Sequence, residues 1–269
     1  MLHRQLAGHP GAPARRGRAP PRRLDSCGAP RAPPSRGQTA GPAGAAPLDV
    51  DRLSLPGLND RRSTLISALA ETEHDPAAAP TARAADVLTG VLYAAADLPG
   101  LLARPGAAAD RTRADVLIAS PLLGMVGPAD PVPASRLAMG TVPGVGGLGP
   151  FWRPAIEEAL AQRADGELVV DVRSSEFAPL WRPPASATWV TVRIEQEVDG
   201  ERRVVSHFAK HLRGVLVRHL LRRRGAEPSD LRSLARAARG LERSGQILGV
   251  EVAPSSSASK PDTLTLVSA

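Results

Sequence analysis

The sequence predicts a single mixed α/β domain, from about residue 48 to residue 269, behind an N-terminal tail. Three observations carry this. The chain has 269 residues, enough for one large buried core. Short apolar runs of strand length are interspersed with helix-periodic segments, without regular βαβ alternation. Composition also changes near residue 47. Residues 1–47 hold eight arginines against one acid, Asp25, with nine prolines and seven glycines. They carry the whole formal charge of +7. Such a segment buries too little apolar surface to offset its ordering entropy, so disorder is expected there. Residues 48–269 hold 26 basic and 26 acidic side chains and sum to zero.

The elements follow in order. Asn59 and Asp60 can cap a helix over 61–73, with Leu65, Ile66 and Leu69 on one face. Residues 74–81 read as a loop, and 82–102 as a helix broken near Pro99 and Gly100. Residues 115–120 form an apolar run of strand length, followed by an irregular Gly/Pro-rich segment over 121–150. A helix over 151–163 and a buried strand over 168–172 come next. Val190, Val192 and Ile194 alternate along a strand over 189–195, which can turn at Asp199-Gly200 into a partner over 203–206. Residues 209–224 are helical. Ser229 caps a further helix to about 238, which Gly240 ends, and strands over 247–252 and 264–267 close the chain.

Several function classes drop out. The single cysteine, Cys27, allows no disulfide or cysteine metal cluster within one chain. No apolar run is long enough for a membrane helix, and the N-terminus lacks an apolar signal region, so a cytoplasmic protein without membrane contact is expected. The GxGxxG match at Gly144, Gly146 and Gly149 follows a Gly-rich loop rather than a strand, so it reads as a flexible loop and not a dinucleotide site. His207 and His211 lack the Glu of HExxH and a third ligand, so neither metal nor cofactor is expected.

The strongest chemical signal is the stretch from Arg202 to Arg224. It holds eight cations (Arg202, Arg203, Lys210, Arg213, Arg218, Arg222, Arg223 and Arg224), three histidines and no acid. A helical projection puts Lys210, Arg213 and Arg218 on one broad face, opposite Leu212, Leu216 and Leu220. Solvated helix faces usually interleave acids with bases, so this one points to an anionic partner such as a phosphate backbone. Two strand ends add polar groups: SPLLG from Ser120, and DVRSSEF with Arg173, Ser174, Ser175 and Glu176. Arg136 lies between them.

These segments, in this order, resemble the YaaA family of peroxide-stress proteins. The resemblance rests on LSLPGL (53–58), TGVLYAAADL (89–98), VLIASPLLGMVGPADPVPASRLAMG (116–140), FW (151–152), VVDVRSSEF (169–177) and SHFAKHLRGVLVRHLL (206–221). It implies an α/β domain with a positively charged cleft and a helix-hairpin-helix-like element that binds DNA. It further implies protection from hydrogen peroxide and limitation of iron damage, with no established catalytic activity. The family's recurrent polar positions fall on Ser120, Gly124, Arg136, Ser174, Glu176, Lys210, Arg213 and Gly214. The departures lie at the N-terminus, where Pro33 to Thr39 resembles a degraded PPSEGKT without the preceding apolar strand. Pro121 and Leu123 replace Gly and an aromatic. Residues 1–38 are either a divergent, DNA-attracting tail or a non-native, frame-shifted start.

The expected function is a DNA-binding peroxide-stress protein that contacts phosphates through Arg136, Arg173, Lys210, Arg213, Arg218, Arg222 and Arg223. The alternative is an enzyme acting on a nucleotide or nucleic acid. Lys210 would be base or nucleophile, Ser174 or Glu176 would assist, and Arg136 and Arg213 would hold phosphate. An inactive, degenerate family member is the third reading.

Overall fold

The computed structural model describes residues 37–70, 72, 76, 78–198, 201–204, 207–257 and 259–269. Residues 1–36 of the tail expected over 1–47, and the Asp199-Gly200 turn, lie outside these residues. The tail boundary at 47 moves. Thr39 donates its N–H to Val87 O at 2.7 Å, and Ala46 O accepts the N–H of Thr81 at 3.1 Å. Gly41 is buried so closely against Thr81 that a Cβ would lie 2.7 Å from its carbonyl. Residues 37–47 thus belong to the body.

The body is mixed α/β. Helix α1 (Asn59–Leu69) follows two short 3-10 turns. Strand β1 (Thr81–Arg83) leads into α2 (Ala84–Val87), α3 (Val91–Ala96) and α4 (Leu98–Leu102). The sequence predicts one helix here, broken near Pro99. The chain breaks instead before Gly90 and at Asp97, whose φ of 53° turns α3 into α4. Helix α5 (Ala107–Asp115), unexpected from the sequence, precedes β2 (Ile118–Ser120) and β3 (Gly124–Val126), which form an antiparallel hairpin. Strand β4 (Pro131–Pro133) pairs with β1.

The glycine segment expected to be a flexible loop is a small hairpin, β5 (Thr141–Val142) with β6 (Gly146–Gly147), running into α6 (Leu148–Ala164). Gly144 and Gly146 take φ of 75° and 90°, which suit glycine at the turn. Gly149 lies inside the helix, where a Cβ would come within 3.0 Å of Pro179 Cβ.

A five-stranded mixed sheet forms the other half. Strands β7 (Leu168–Asp171), β8 (Thr188–Val198), β11 (Asp262–Ser268) and β10 (Gly249–Ala253) lie side by side in that order. β8 pairs parallel with β7 and β11, while β10 is antiparallel to β11. Strand β9 (Glu201–Val204) is antiparallel to β8, with Glu197 opposite Arg202. Helices α7 (His207–Arg222) and α8 (Leu231–Arg243) pack on this sheet as the expected helix pair. Asp230, not Ser229, caps α8 in a reciprocal capping box with Ser233. Gly240 sits within α8, because it gives room to His219, whose ring a Cβ there would meet at 2.5 Å.

Two apolar clusters result. One gathers α1–α4, the β2–β3 hairpin and α6 around Trp152; the other lies between the sheet and α7–α8 around Leu216 and Leu264. Helix α7 joins them. It crosses α3 at Gly214, where a Cβ would overlap Leu92 O and stand 2.7 Å from Ala95 Cβ.

Candidate functional site

A cavity of about 620 Å³ opens beyond the C-terminal end of β7, beside the α3–α7 crossing. Leu92, Ala96, Ile118, Val132 and Val217 make apolar walls. Its polar lining is contributed by Gln38, Ser120, Arg136, Arg173, Ser174, Glu176, Lys210 and Arg213. The polar groups singled out from three distant segments of the sequence therefore converge on one opening, as they do at strand ends of open α/β sheets.

The charges differ in how far they are committed. Arg173 is tied to Asp171 by Nε to Oδ1 at 2.9 Å and Nη2 to Oδ2 at 2.7 Å, and it also donates to Trp181 O at 2.9 Å. Burial alone would raise the Asp171 carboxyl. The Arg173 hydrogen bonds and charge, with help from the Trp189 indole, outweigh it and hold Asp171 below the ordinary carboxylate value. Arg173 is thus a rivet in the cavity wall. Arg213 is half-buried and donates Nε to Val192 O at 3.0 Å. Burial lowers its pKa, opposed by the Asp171 charge. Lys210, Arg136 and Glu176 are exposed at the mouth and have no ion-pair partner among the described residues. Ser120 Oγ accepts the N–H of Leu123 at 3.2 Å.

Gln38, which stands where the resemblance expects Lys, lies at the same opening and accepts the N–H of Ser135 at 2.8 Å. Gly37, with φ of 85°, lies flat against Gly90.

The model of the family described as Peroxide stress protein YaaA matches residues 54–242, from just before α1 to the end of α8. The chain belongs to the YaaA family of peroxide stress proteins. A UPF0246 protein of Streptomyces coelicolor is 35% identical over 234 residues, covering 78% of this chain and 88% of that protein. A UPF0246 protein of Corynebacterium efficiens is 38% identical over 208 residues, covering 70% and 82%. Another, from Corynebacterium glutamicum, is 35% identical over 235 residues, covering 77% and 91%. The YaaA match spans both walls of the cavity, so the family segment includes every site residue named above except Gly37 and Gln38.

The cationic stretch is less uniform than its sequence. Acids outside it neutralise part of it: Arg202 pairs with Glu251 on β10 at 2.6 Å, Arg203 with its strand neighbour Glu201 at 2.8 Å, and Arg218 with Asp97 at 3.2 Å. Arg223 donates to Ala226 O at 3.2 Å, while Arg222 and Arg224 are exposed. Lys210, Arg213 and Arg218 do not share one face. Gly214 against α3 divides α7 into two flanks, with Lys210, Arg213 and Val217 on the cavity and Arg218 on the other side. His211 stacks on Phe208 at 6.0 Å, and the His207 side chain is outside the described residues. Among the described residues no three His, Cys, Asp or Glu side chains are grouped to hold a metal ion.

One supporting residue gave no signal in the sequence. Arg62, on α1, is fully buried and donates to Leu123 O, Leu55 O, Asn59 Oδ1, Ser54 O and Met125 O at 2.8–3.3 Å. Burial lowers its pKa to about 10 against the raising effect of Asp130. The Asp130 carboxylate in turn accepts the N–H groups of Ser54 and Gly127, both at 2.9 Å. The pair fixes the β2–β3 hairpin that carries Ser120. An arginine among Leu65 and Ile66 looks like an ordinary surface residue until the carbonyls around it are known.

Proposed function

We propose that this YaaA-family protein serves peroxide stress by binding DNA, through phosphate contacts made at the cavity mouth and along α7. The observation that supports it is the division of the cations. Arg173, Arg202, Arg203 and Arg218 are held by carboxylates, whereas Lys210, Arg136, Arg222 and Arg224 have none among the described residues. Lys210 and Arg222 stand on α7, and unpaired cations are free to displace counterions from a phosphate backbone. Contacts of this kind position DNA without reading its sequence. No helix among the described residues is long and apolar enough to cross a membrane; the reading places the protein in the cytoplasm, with the DNA.

The test is fluorescence anisotropy on duplex DNA over a salt series, using the full chain throughout. Charge reversal at Lys210 plus Arg222 should weaken binding on all sequences alike. It should also flatten the log–log salt slope by about 0.9 for each phosphate that is no longer neutralised. Reversal at Arg203, already paired with Glu201, should change little. If the double variant binds as the parent does, α7 does not touch the DNA and the arginine-rich N-terminus carries the binding.

A second reading has its own support: the cavity is large enough for a nucleotide, and Lys210, Ser174 and Glu176 line it. Lys210 would then act as base or nucleophile, with Arg213 and Arg136 on phosphate. Lys210→Arg separates the two, since it keeps the charge but not the proton chemistry. DNA binding retained with peroxide protection abolished favours the enzyme; both retained favours the binder.

A further inference from the structure

On the flank of α7 away from the cavity lies a second opening, a groove of about 320 Å³ between α3, α7 and α8. Arg218, His219, Arg222 and Gln246 line it, with Ala95 and Leu241. We propose that this groove seats one phosphate group, held by Arg218 and Arg222.

Arg218 is the first holder. Asp97 takes its Nη2 at 3.2 Å, and the side chain, 43% exposed, lines the groove with further N–H donors to offer an anion. Arg222, one turn further along α7, is exposed and pairs with no carboxylate among the described residues. Two guanidinium groups one turn apart suit an anion with several acceptor oxygens, and phosphate matches their fork geometry better than a single carboxylate does. Gln246 brings an amide to the same groove. His219 is held in place, its Nε2–H donating to Ala237 O at 2.9 Å. The volume is at the small end for ligand sites, which suits a phosphate with little attached, or one phosphate of a chain lying across the groove.

The seat stands apart from the cavity and needs no DNA to exist. It rests on the DNA reading only if the phosphate is one of a backbone. Two probes separate the sources: inorganic phosphate and a short DNA duplex, each titrated calorimetrically into the full chain. Both Arg222 and Gln246 are exposed, so Arg222→Ala and Gln246→Glu leave the core intact. The parent should take up inorganic phosphate saturably, one per chain. Arg222→Ala should weaken it at least tenfold, and Gln246→Glu should abolish it. Absence of saturable uptake overturns the proposal, as does unchanged uptake by Gln246→Glu. Loss on Lys210→Ala instead would move the anion to the cavity and equally overturn it. If Gln246→Glu also weakens the duplex, the phosphate is a backbone phosphate. If duplex binding is unaffected or absent in the parent while phosphate uptake follows the groove, the seat serves a free phosphate compound, and the DNA reading of this flank fails alone.

Discussion

Arg173 Nη2 stands 2.7 Å from Asp171 Oδ2, and both side chains are largely buried, at 14% and 9% exposure. The pair spans the end of β7 and the start of the loop that carries Ser174 and Glu176. Removing one partner of a buried pair leaves the other charge uncompensated. Asp171→Asn is therefore predicted to cost about 3 kcal/mol in urea unfolding at neutral pH. The sign of the pH dependence follows from the lowered Asp171 pKa. Its contribution is complete above the unfolded value near pH 4 and fades as pH falls through the lower folded value. In the variant, stability should fall less on acidification than in the parent; an identical fall in both would show that Asp171 contributes nothing to it.

Gly214 is predicted to be intolerant of any side chain. A methyl group there overlaps the Leu92 carbonyl, which is backbone of α3 and cannot rotate aside. Gly214→Ala should cost about 3 kcal/mol despite the helix propensity that alanine gains. Thermal unfolding checks this, and a stabilised variant would mean that α3 and α7 are not packed this closely.

The chain has one tyrosine, Tyr93. Burial pushes its pKa up to about 12. In a spectrophotometric titration tyrosinate should appear near pH 12 in the folded chain and near pH 10 in denaturant. Because the folded value is the higher one, this burial stabilises the fold below pH 10 and the contribution is lost as pH rises toward 12. Ionisation at pH 10 in the folded protein would place the ring in water.

Arg62→Met should be among the most damaging single changes, at about 3 kcal/mol, because it strips hydrogen bonds from four backbone carbonyls at once. Arg62→Lys should recover little, since an ammonium cannot fork across those acceptors. Equal stability of the lysine variant and the parent would deny the guanidinium this role.

The strands β7, β8, β10 and β11 and the helices α6, α7 and α8 were legible because each carries its own periodicity. The 82–102 segment was not. Its apolar residues fit one helix, but Asp97 turns the chain at φ 53° because the backbone must enter α4 in a new direction. Gly149 and Gly240 look like punctuation and are close approaches to Pro179 and His219, which only the tertiary neighbours reveal. Ser120, Ser174 and Glu176 were legible as polar groups at strand ends, and Lys210 and Arg213 as cations of a helix; that the two sets meet at one cavity was not. Which cations are free was not, because their carboxylates (Asp97 for Arg218, Glu251 for Arg202) come from far along the chain.

The seating of α7 against α3 at Gly214 also sets a length. The close fit leaves no slack, so Lys210 and Arg222 are held as two marks on one rigid rod. Twelve residues of helix separate them by about 18 Å along the axis. A mononucleotide cannot touch both marks. A duplex, rising 3.4 Å or so per base pair along its axis, covers that distance in about five base pairs. Affinity for DNA hairpins of increasing stem length should therefore rise in a step near that length, and a smooth rise from the shortest stems would mean that α7 does not act as a ruler.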